Sequence, residues 1–419
     1  MPFQHRNLEE PLDDDTGRLC QLWSRVIDIH TLDEEKFASD SPAEPYGLSA
    51  TKEKHMLQVF SDPRFDQHFG GRLMQVFLYV TDECNLRCTQ CYYKPWLKIG
   101  HAEMPTDVIV ALLHKFRQLG AVKVSFLGGE PTLYGHAEGN ESLPFIVHSA
   151  RDLGFEYIRV VSNGLFDEAL LSDDRLREVD EITFSIDGDT ADIHNALRGR
   201  NTYARSLANL RKAVDLGFNV QVTMCVHKGN IDRDENGRLI LDRSISWAQQ
   251  LGAKSMNFHP VFRMGIARDS WTGDVHVSPS DWLAVYKEIR TKIERGQYGI
   301  SVRAPLRFAT NSEFEERSGY YGYCPVKLAE RLEIHQNGQM HSCALHNGTP
   351  ISIAKFERRG DVISIGWSPT DNEFEKYPFK EGEDHPCVVM RGFSEEVRPL
   401  CISLKPAQDE FVWKRMSLG

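Results

Sequence analysis

The chain has 419 residues, 41% hydrophobic and 26% charged, the balance of a globular protein large enough for two or three domains. A formal net charge of −11 argues against a general nucleic-acid binder. No apolar run approaches the ~18 residues of a membrane span, and the acidic start MPFQHRNLEEPLDDD is not a signal peptide, so the expected location is the cytoplasm.

Residues 1–72 carry no clear small-domain pattern and are expected to form a cap, with helical stretches near Leu19 to Ile29 and Ala50 to Phe60. From residue 73 a rhythm sets in. Strands are predicted over 73–80, 122–127, 157–162, 181–187, 219–226 and 254–260. Helices are predicted between them over 105–119, 144–153, 168–178, 202–216 and 243–251, and a further one over 278–295. Pro105 suits a first helical turn, and Gly120, Gly154, Gly217 and Gly252 each follow a helix, where a left-handed residue is needed. Strand–helix–strand repeats at this spacing give right-handed crossovers and a parallel sheet, either doubly wound or a partial barrel. In both, ligands sit at the C-terminal strand ends. Beyond residue 300 the texture changes: Asn337-Gly338 between two short apolar runs predicts a hairpin over 331–343.

Three of the nine cysteines, Cys84, Cys88 and Cys91, fall within eight residues directly after the first predicted strand. In a reducing compartment such clustering points to metal binding or redox chemistry. Three thiolates on one loop suit three irons of a 4Fe-4S cube and leave the fourth iron open. Along 219–226 the apolar Val220, Val222, Met224 and Val226 alternate with Gln221, Thr223 and Cys225. In a barrel the second set faces inward, and by the same rule so do Thr183, Asp187, Asn257 and His259. Cys225, His259 and Asp187 are therefore candidates for contact with a substrate.

The C-x3-C-x2-C loop at a strand end resembles that of the radical S-adenosylmethionine (SAM) enzymes, and further motifs follow in the family's order. Gly128-Gly129-Glu130-Pro131 resembles the GGEP segment that holds the SAM amino group. Ser162-Asn163-Gly164 resembles the segment that reaches the ribose. Ser185-Ile186-Asp187-Gly188 with His194 to Gly199 resembles the segment in which Ser185 approaches the ribose and Arg198 pairs with the SAM carboxylate. Gly265, in Arg263-Met264-Gly265, resembles the stretch lining the adenine. The resemblance implies a partial (β/α)6 TIM-like barrel over 73–300. It also implies a SAM-binding cluster on Cys84, Cys88 and Cys91, and reductive cleavage of SAM to a radical that removes hydrogen from a substrate carbon. A flavodoxin- or ferredoxin-type electron donor is implied as partner. One departure stands out: Gln90 occupies a position where many relatives have an aromatic residue on the adenine. Either Tyr92 or Tyr93 replaces it, or Gln90 hydrogen-bonds the base.

Cys324, Gly338 and Cys343 are spaced as C-x13-G-x4-C, similar to the opening of SPASM and twitch domains. That implies a small twitch-like α+β domain over 301–419 with one auxiliary 4Fe-4S cluster on Cys324, Cys343, Cys387 and Cys401. Two auxiliary clusters would need more cysteines than the chain has there. Three functions remain open at this level. The favoured one is radical chemistry on a polar small molecule of sugar or nucleoside type, with the auxiliary cluster aiding oxidation, rearrangement or sulfur insertion. The others are crosslinking or epimerisation of a precursor peptide, and iron–sulfur binding without catalysis.

Overall fold

The computed structural model describes residues 57–93, 102–261 and 277–303, together with 266–267, 275, 307–310, 312, 329–344, 352–367 and 397–400. In chain order the strands are β1 (Gln58–Ser61), β2 (Gln75–Tyr79), β3 (Lys123–Leu127), β4 (Tyr157–Ser162), β5 (Glu181–Ser185), β6 (Val220–Val226), β7 (Ser255–Pro260), β8 (Ser301–Arg303), β9 (Arg307–Thr310), β10 (Arg331–His335), β11 (Gln339–His341), β12 (Ala354–Arg359), β13 (Val362–Trp367) and β14 (Val397–Leu400). The helices of seven or more residues are α1 (Pro63–Phe69), α2 (Thr106–Gln118), α3 (Leu143–Asp152), α4 (Ala191–Arg198), α5 (Thr202–Asp215), α6 (Ile240–Gln250) and α7 (Pro279–Glu294). Among them no helix is long and apolar enough to cross a membrane.

Strands β2 to β8 pair in sequence order, all parallel, in the expected arrangement for βα crossovers. Helix α2 shows why the layers hold. Val108, Ile109, Ala111, Leu112, Leu113 and Phe116 recur at helical spacing and are buried against the sheet. Outward-facing strand residues such as Val76, Val124, Ile158, Ile182, Val222, Met256 and Leu332 join the same core. The sheet is curled. Lys123 on β3 and Arg303 on β8 are five strands apart along it, yet they repel one another across the interior.

Three features differ from the sequence expectation, the first being that Gln58–Ser61 is strand β1 where a helical stretch near Ala50 to Phe60 is expected. The helix expected over 168–178 is instead two 3₁₀ turns, Glu168–Ser172 and Asp174–Glu178. Asp167 and Asp173 each cap the following turn with their own side chains, and that local bonding competes with a continuous helix. The hairpin lies where Asn337-Gly338 predicts it, as β10 and β11. However, β10 also pairs in parallel with β2, and β11, β12 and β13 continue from it into one twelve-stranded sheet ending on β1. The described part of the C-terminal region is thus continuous with the barrel wall. Part of the N-terminal segment packs there as well, through β1 and through α1, which is capped by Asp62.

Candidate functional site

The loop carrying Cys84, Cys88 and Cys91 leaves β2 and is pinned from four directions by backbone and amide bonds. Gly129 and Glu130 donate their N–H groups to the carbonyls of Thr81 and Glu83 at 2.8 and 2.7 Å. The Asn85 amide donates to Leu165 O at 2.8 Å and accepts from Asn163 Nδ2 at 2.7 Å. Thr89 N donates to Leu197 O at 2.9 Å, and Ile266 N donates to Cys91 O at 2.8 Å. The loop is therefore held at the C-terminal ends of β3, β4 and β5 and beside the segment that follows β7. Ile266 is the neighbour of Gly265, which lies outside the described residues.

The glycines of Gly128-Gly129 have a sharper reason than expected. A Cβ on Gly128 would lie 2.5 Å from Thr81 O, and one on Gly129 would lie 2.2 Å from Glu83 O. They allow the cysteine loop itself to approach; no ligand is needed to explain them. Glu130 follows, buried, as the cap of a 3₁₀ turn that begins with Pro131. Its Oε1 accepts from Thr132 N, Thr132 Oγ1 and Ser162 Oγ, and its Oε2 accepts from Asn163 N at 2.7 Å. Burial raises its pKa against the pull of these four donors. Ser162 and Asn163, expected at the ribose, use their side chains here to fix Glu130 and the cysteine loop.

A second polar knot closes the site from the side of β5 and β6. Asp187 is fully buried. Its Oδ2 accepts from Arg198 Nε and from Gln90 Nε2, both at 2.6 Å, and its Oδ1 accepts from Cys225 N at 2.8 Å. Burial works against its charge, but Arg198, the Cys225 N–H and His194 together outweigh it and hold the carboxyl below its ordinary range. Asp187 N donates to His194 Nδ1, and Asp187 O accepts from Asn230 Nδ2 and lies 3.2 Å from His227 Nε2. The side chain expected to meet a substrate is thus consumed inside the protein, and its role is to position Arg198. Ser185 stands half-buried at the end of β5.

Gln90 ties the cysteine loop to this second knot. Its amide reaches Asp187, while its buried Oε1 has no partner. Tyr92 and Tyr93 turn instead toward β10. The Tyr92 hydroxyl lies 2.9 Å from that of Tyr79, which donates to Glu333, and Tyr93 stacks on Tyr79 at 5.2 Å. Tyr92, expected at the adenine, thus has its hydroxyl against that of Tyr79.

Burial pushes the thiols of Cys84 and Cys88 up to about 12 and about 11, with Arg198 pulling Cys88 back. A cationic metal centre reverses such a preference by deprotonating its ligands. Among the described residues, the group of three whose ligand atoms converge within 4.8 Å is Glu83, Glu103 and His136, not the cysteines. The three thiols therefore surround a larger space than a single ion fills. Three half-buried thiols, a clamped carboxylate with room on Oε2, the Arg198 terminal nitrogens beside Cys88 and the unpartnered Gln90 Oε1 together fit a cluster bearing a small zwitterionic ligand.

Of the other candidates, Cys225 and His259 are half-buried neighbours across β6 and β7, facing inward with Thr223 and Asn257. Burial raises the Cys225 thiol well above its ordinary pKa. Burial, with Arg159 and Arg331 adding to it, lowers His259 to about 4. Cys343 is half-buried just beyond β11, while Cys324, Cys387 and Cys401 lie outside the described residues. Sequence reading missed Lys123, Arg159, Arg331 and Glu333 on the inner wall, although the alternation that exposed Cys225 and His259 marks them equally.

Comparison with known proteins agrees with this geometry. Residues 78–236 match the family described as Radical SAM superfamily. The chain is 24% identical over 332 residues to a GTP 3',8-cyclase of Staphylococcus saprophyticus, covering 74% of this chain and 87% of the relative. It is 29% identical over 166 residues to a PqqA peptide cyclase of Streptomyces rochei, covering 39% of this chain and 43% of the relative. Its fold resembles that of Streptococcus suis SuiB bound to S-adenosylmethionine, with a TM-score of 0.52 at 15% identity over 69% of this chain and 64% of that one. Residues 78–236 of this chain are thus a radical SAM domain.

Proposed function

We propose that the protein cleaves SAM reductively at the Cys84–Cys88–Cys91 loop and removes hydrogen from a polar small molecule held inside the barrel. When bound, the cluster and SAM supply the radical that makes an unreactive C–H bond breakable, chemistry beyond side-chain acids and bases. The chain's own residues bind and orient. Cys84, Cys88 and Cys91 hold the cluster. Arg198, aimed by Asp187, offers a planar fork for a carboxylate. Glu130 and the adjacent carbonyls face an ammonium group. The wall formed by Thr223, Cys225, Asn257 and His259 lines the substrate's side of the site.

The observation that carries the small-molecule reading is this inner wall. Its polar side chains alternate strictly with the buried outward row, so the interior presents hydrogen-bonding groups where a hydroxyl-rich substrate would sit. Similarity to a GTP 3',8-cyclase over most of both chains agrees with a nucleoside-type substrate. The second reading, modification of a precursor peptide, rests on the shorter match to a PqqA peptide cyclase. An auxiliary cluster on Cys324, Cys343, Cys387 and Cys401 and a flavodoxin- or ferredoxin-type donor complete the proposal.

The test is anaerobic reconstitution with iron, sulfide, SAM and a reductant. Formation of 5′-deoxyadenosine is expected, with deuterium passing into it from a labelled small-molecule substrate. Transfer from a precursor peptide and from none of the sugars or nucleosides would select the second reading.

A further inference from the structure

The inner wall is charged as well as polar. Lys123 on β3, Arg159 on β4, Arg303 on β8 and Arg331 on β10 all lie on inward-facing positions, and Lys123 and Arg159 each face others of the set through the interior. Among the described residues, two carboxylates, Glu181 and Glu333, share that interior with them, while Glu156, near Lys123, is exposed on the rim. Arg331 pairs with Glu333, and Arg159 lies within ion-pair reach of Glu181.

The two best-placed guanidiniums sit over one aromatic ring. The Arg331 and Arg159 guanidinium carbons are 4.6 and 5.8 Å from the Phe77 centroid. Arg331 Nη2 donates to Glu333 Oε1 at 2.7 Å, but its buried Nε has no partner. Arg159 Nε donates to Ser125 Oγ at 3.1 Å, and its Nη1 is 3.9 Å from Glu181, too far for a hydrogen bond. Arg331 keeps 37% of its side-chain surface accessible. Like charges gathered this way, with donors left over, form a seat for an oxyanion.

We propose that this interior seats a phosphate group of the substrate between Arg159 and Arg331, with Lys123 and Arg303 supplying further positive charge. A phosphate monoester offers roughly two negative charges at neutral pH and three acceptor oxygens to the leftover donors of both guanidiniums, whereas a carboxylate offers one charge and two oxygens. Arg159 lies three residues before Ser162 on β4, so the seat is ~10 Å below the strand ends that carry the cofactor residues. A sugar phosphate or nucleotide spans that distance and places its carbon skeleton at the site. The inference deepens the small-molecule reading and rests on it.

The test is calorimetric binding of inorganic pyrophosphate, inorganic phosphate and glutarate to the reconstituted holoenzyme in the presence of SAM. Pyrophosphate is expected to bind at least tenfold more tightly than glutarate. Arg159→Gln and Arg331→Gln are each expected to weaken pyrophosphate at least tenfold, and Arg159→Lys, which keeps the charge, by less. Failure of pyrophosphate to bind, or equal binding by the two Gln variants, overturns the proposal. Tighter binding of glutarate overturns phosphate in favour of a carboxylate. Reductive SAM cleavage is measured alongside: cleavage without pyrophosphate binding removes this inference alone, and Arg-dependent pyrophosphate binding without cleavage removes the proposed chemistry alone.

Discussion

Arg198 Nε lies 2.6 Å from Asp187 Oδ2, with the arginine 11% exposed and the aspartate fully buried. The pair is too deep to be a surface ion pair. The same oxygen also accepts from Gln90, and Oδ1 accepts from Cys225 N, so both oxygens of the carboxylate face donors. Asp187→Asn is nearly isosteric, yet either orientation of the amide sets its NH2 against one of these donors and leaves Arg198 without a counter-charge. Breaking a buried pair on one side costs about 3–5 kcal/mol. A loss of that size in urea denaturation is expected, together with weaker SAM binding. Unchanged stability and SAM affinity would show that Arg198 is positioned by something else.

Gly129→Ala tests the approach of the cysteine loop. Its Cβ would meet Glu83 O at 2.2 Å, a backbone atom that cannot swing aside. Overpacking of this kind costs about 1–3 kcal/mol. Because the displaced residue adjoins Cys84, iron retained after reconstitution is expected to fall with stability. Full iron content in the alanine variant would mean that the loop has freedom the hydrogen-bond pattern does not suggest.

Two buried imidazoles give a pH signature. His194 is held near 4 chiefly by burial, then by Arg198, and His259 near 4 by burial, then by Arg159 and Arg331. Between about 6.5 and about 4 the unfolded chain binds these protons and the folded chain does not. Stability therefore falls as pH drops through that window, by up to roughly 3 kcal/mol per histidine. Denaturation at pH 7.5 and pH 5 measures the slope, which His194→Gln is expected to flatten. An identical slope in the variant would place the titration elsewhere.

The strands were legible because their outward apolar positions alternate with polar ones. Val220 to Val226 display that pattern, and the strand lies within a residue of expectation. The Asn337-Gly338 hairpin was legible from its turn chemistry. The pairing of β1 with β13 was not, since Gln58 meets Val362 across some three hundred residues with no local signal. At the site, the cysteines and Arg198 were visible as types in sequence. The direction each polar group faces was not: Ser162, Asn163 and Asp187 bond inward to protein partners that only the fold brings near. Arg159 and Arg331 were overlooked because a motif-led reading looks at strand ends, and these residues lie lower on the strands.

The metal count separates the two cluster assignments. With both clusters filled, reconstituted protein is expected to hold about eight irons per chain. Replacing Cys84, Cys88 and Cys91 with Ala should lower this to about four and abolish 5′-deoxyadenosine formation. About four irons in the parent protein would remove the auxiliary cluster on Cys324, Cys343, Cys387 and Cys401.

Gln90 is the residue through which the cysteine loop touches the Asp187–Arg198 pair. Its Nε2 donates to Asp187 at 2.6 Å, while its Oε1, buried and unpartnered, is an acceptor waiting for a donor. An unmet buried acceptor costs on the order of 1–3 kcal/mol, and a ligand N–H that meets it recovers that cost on binding. Gln90→Leu removes the acceptor and the bond to Asp187 while keeping the volume. Thermal stability should change little, because an unsatisfied atom and one hydrogen bond are lost together. SAM binding should weaken by about tenfold, equivalent to ~1.4 kcal/mol, with KM for SAM rising more than kcat falls. Gln90→Glu leaves an acceptor but sets a second carboxylate against Asp187, so it should both weaken SAM and lower stability below neutral-pH values of the parent. If the Leu variant binds SAM as the parent does, Gln90 serves only to tie the loop to Asp187, and the free oxygen has no ligand to meet.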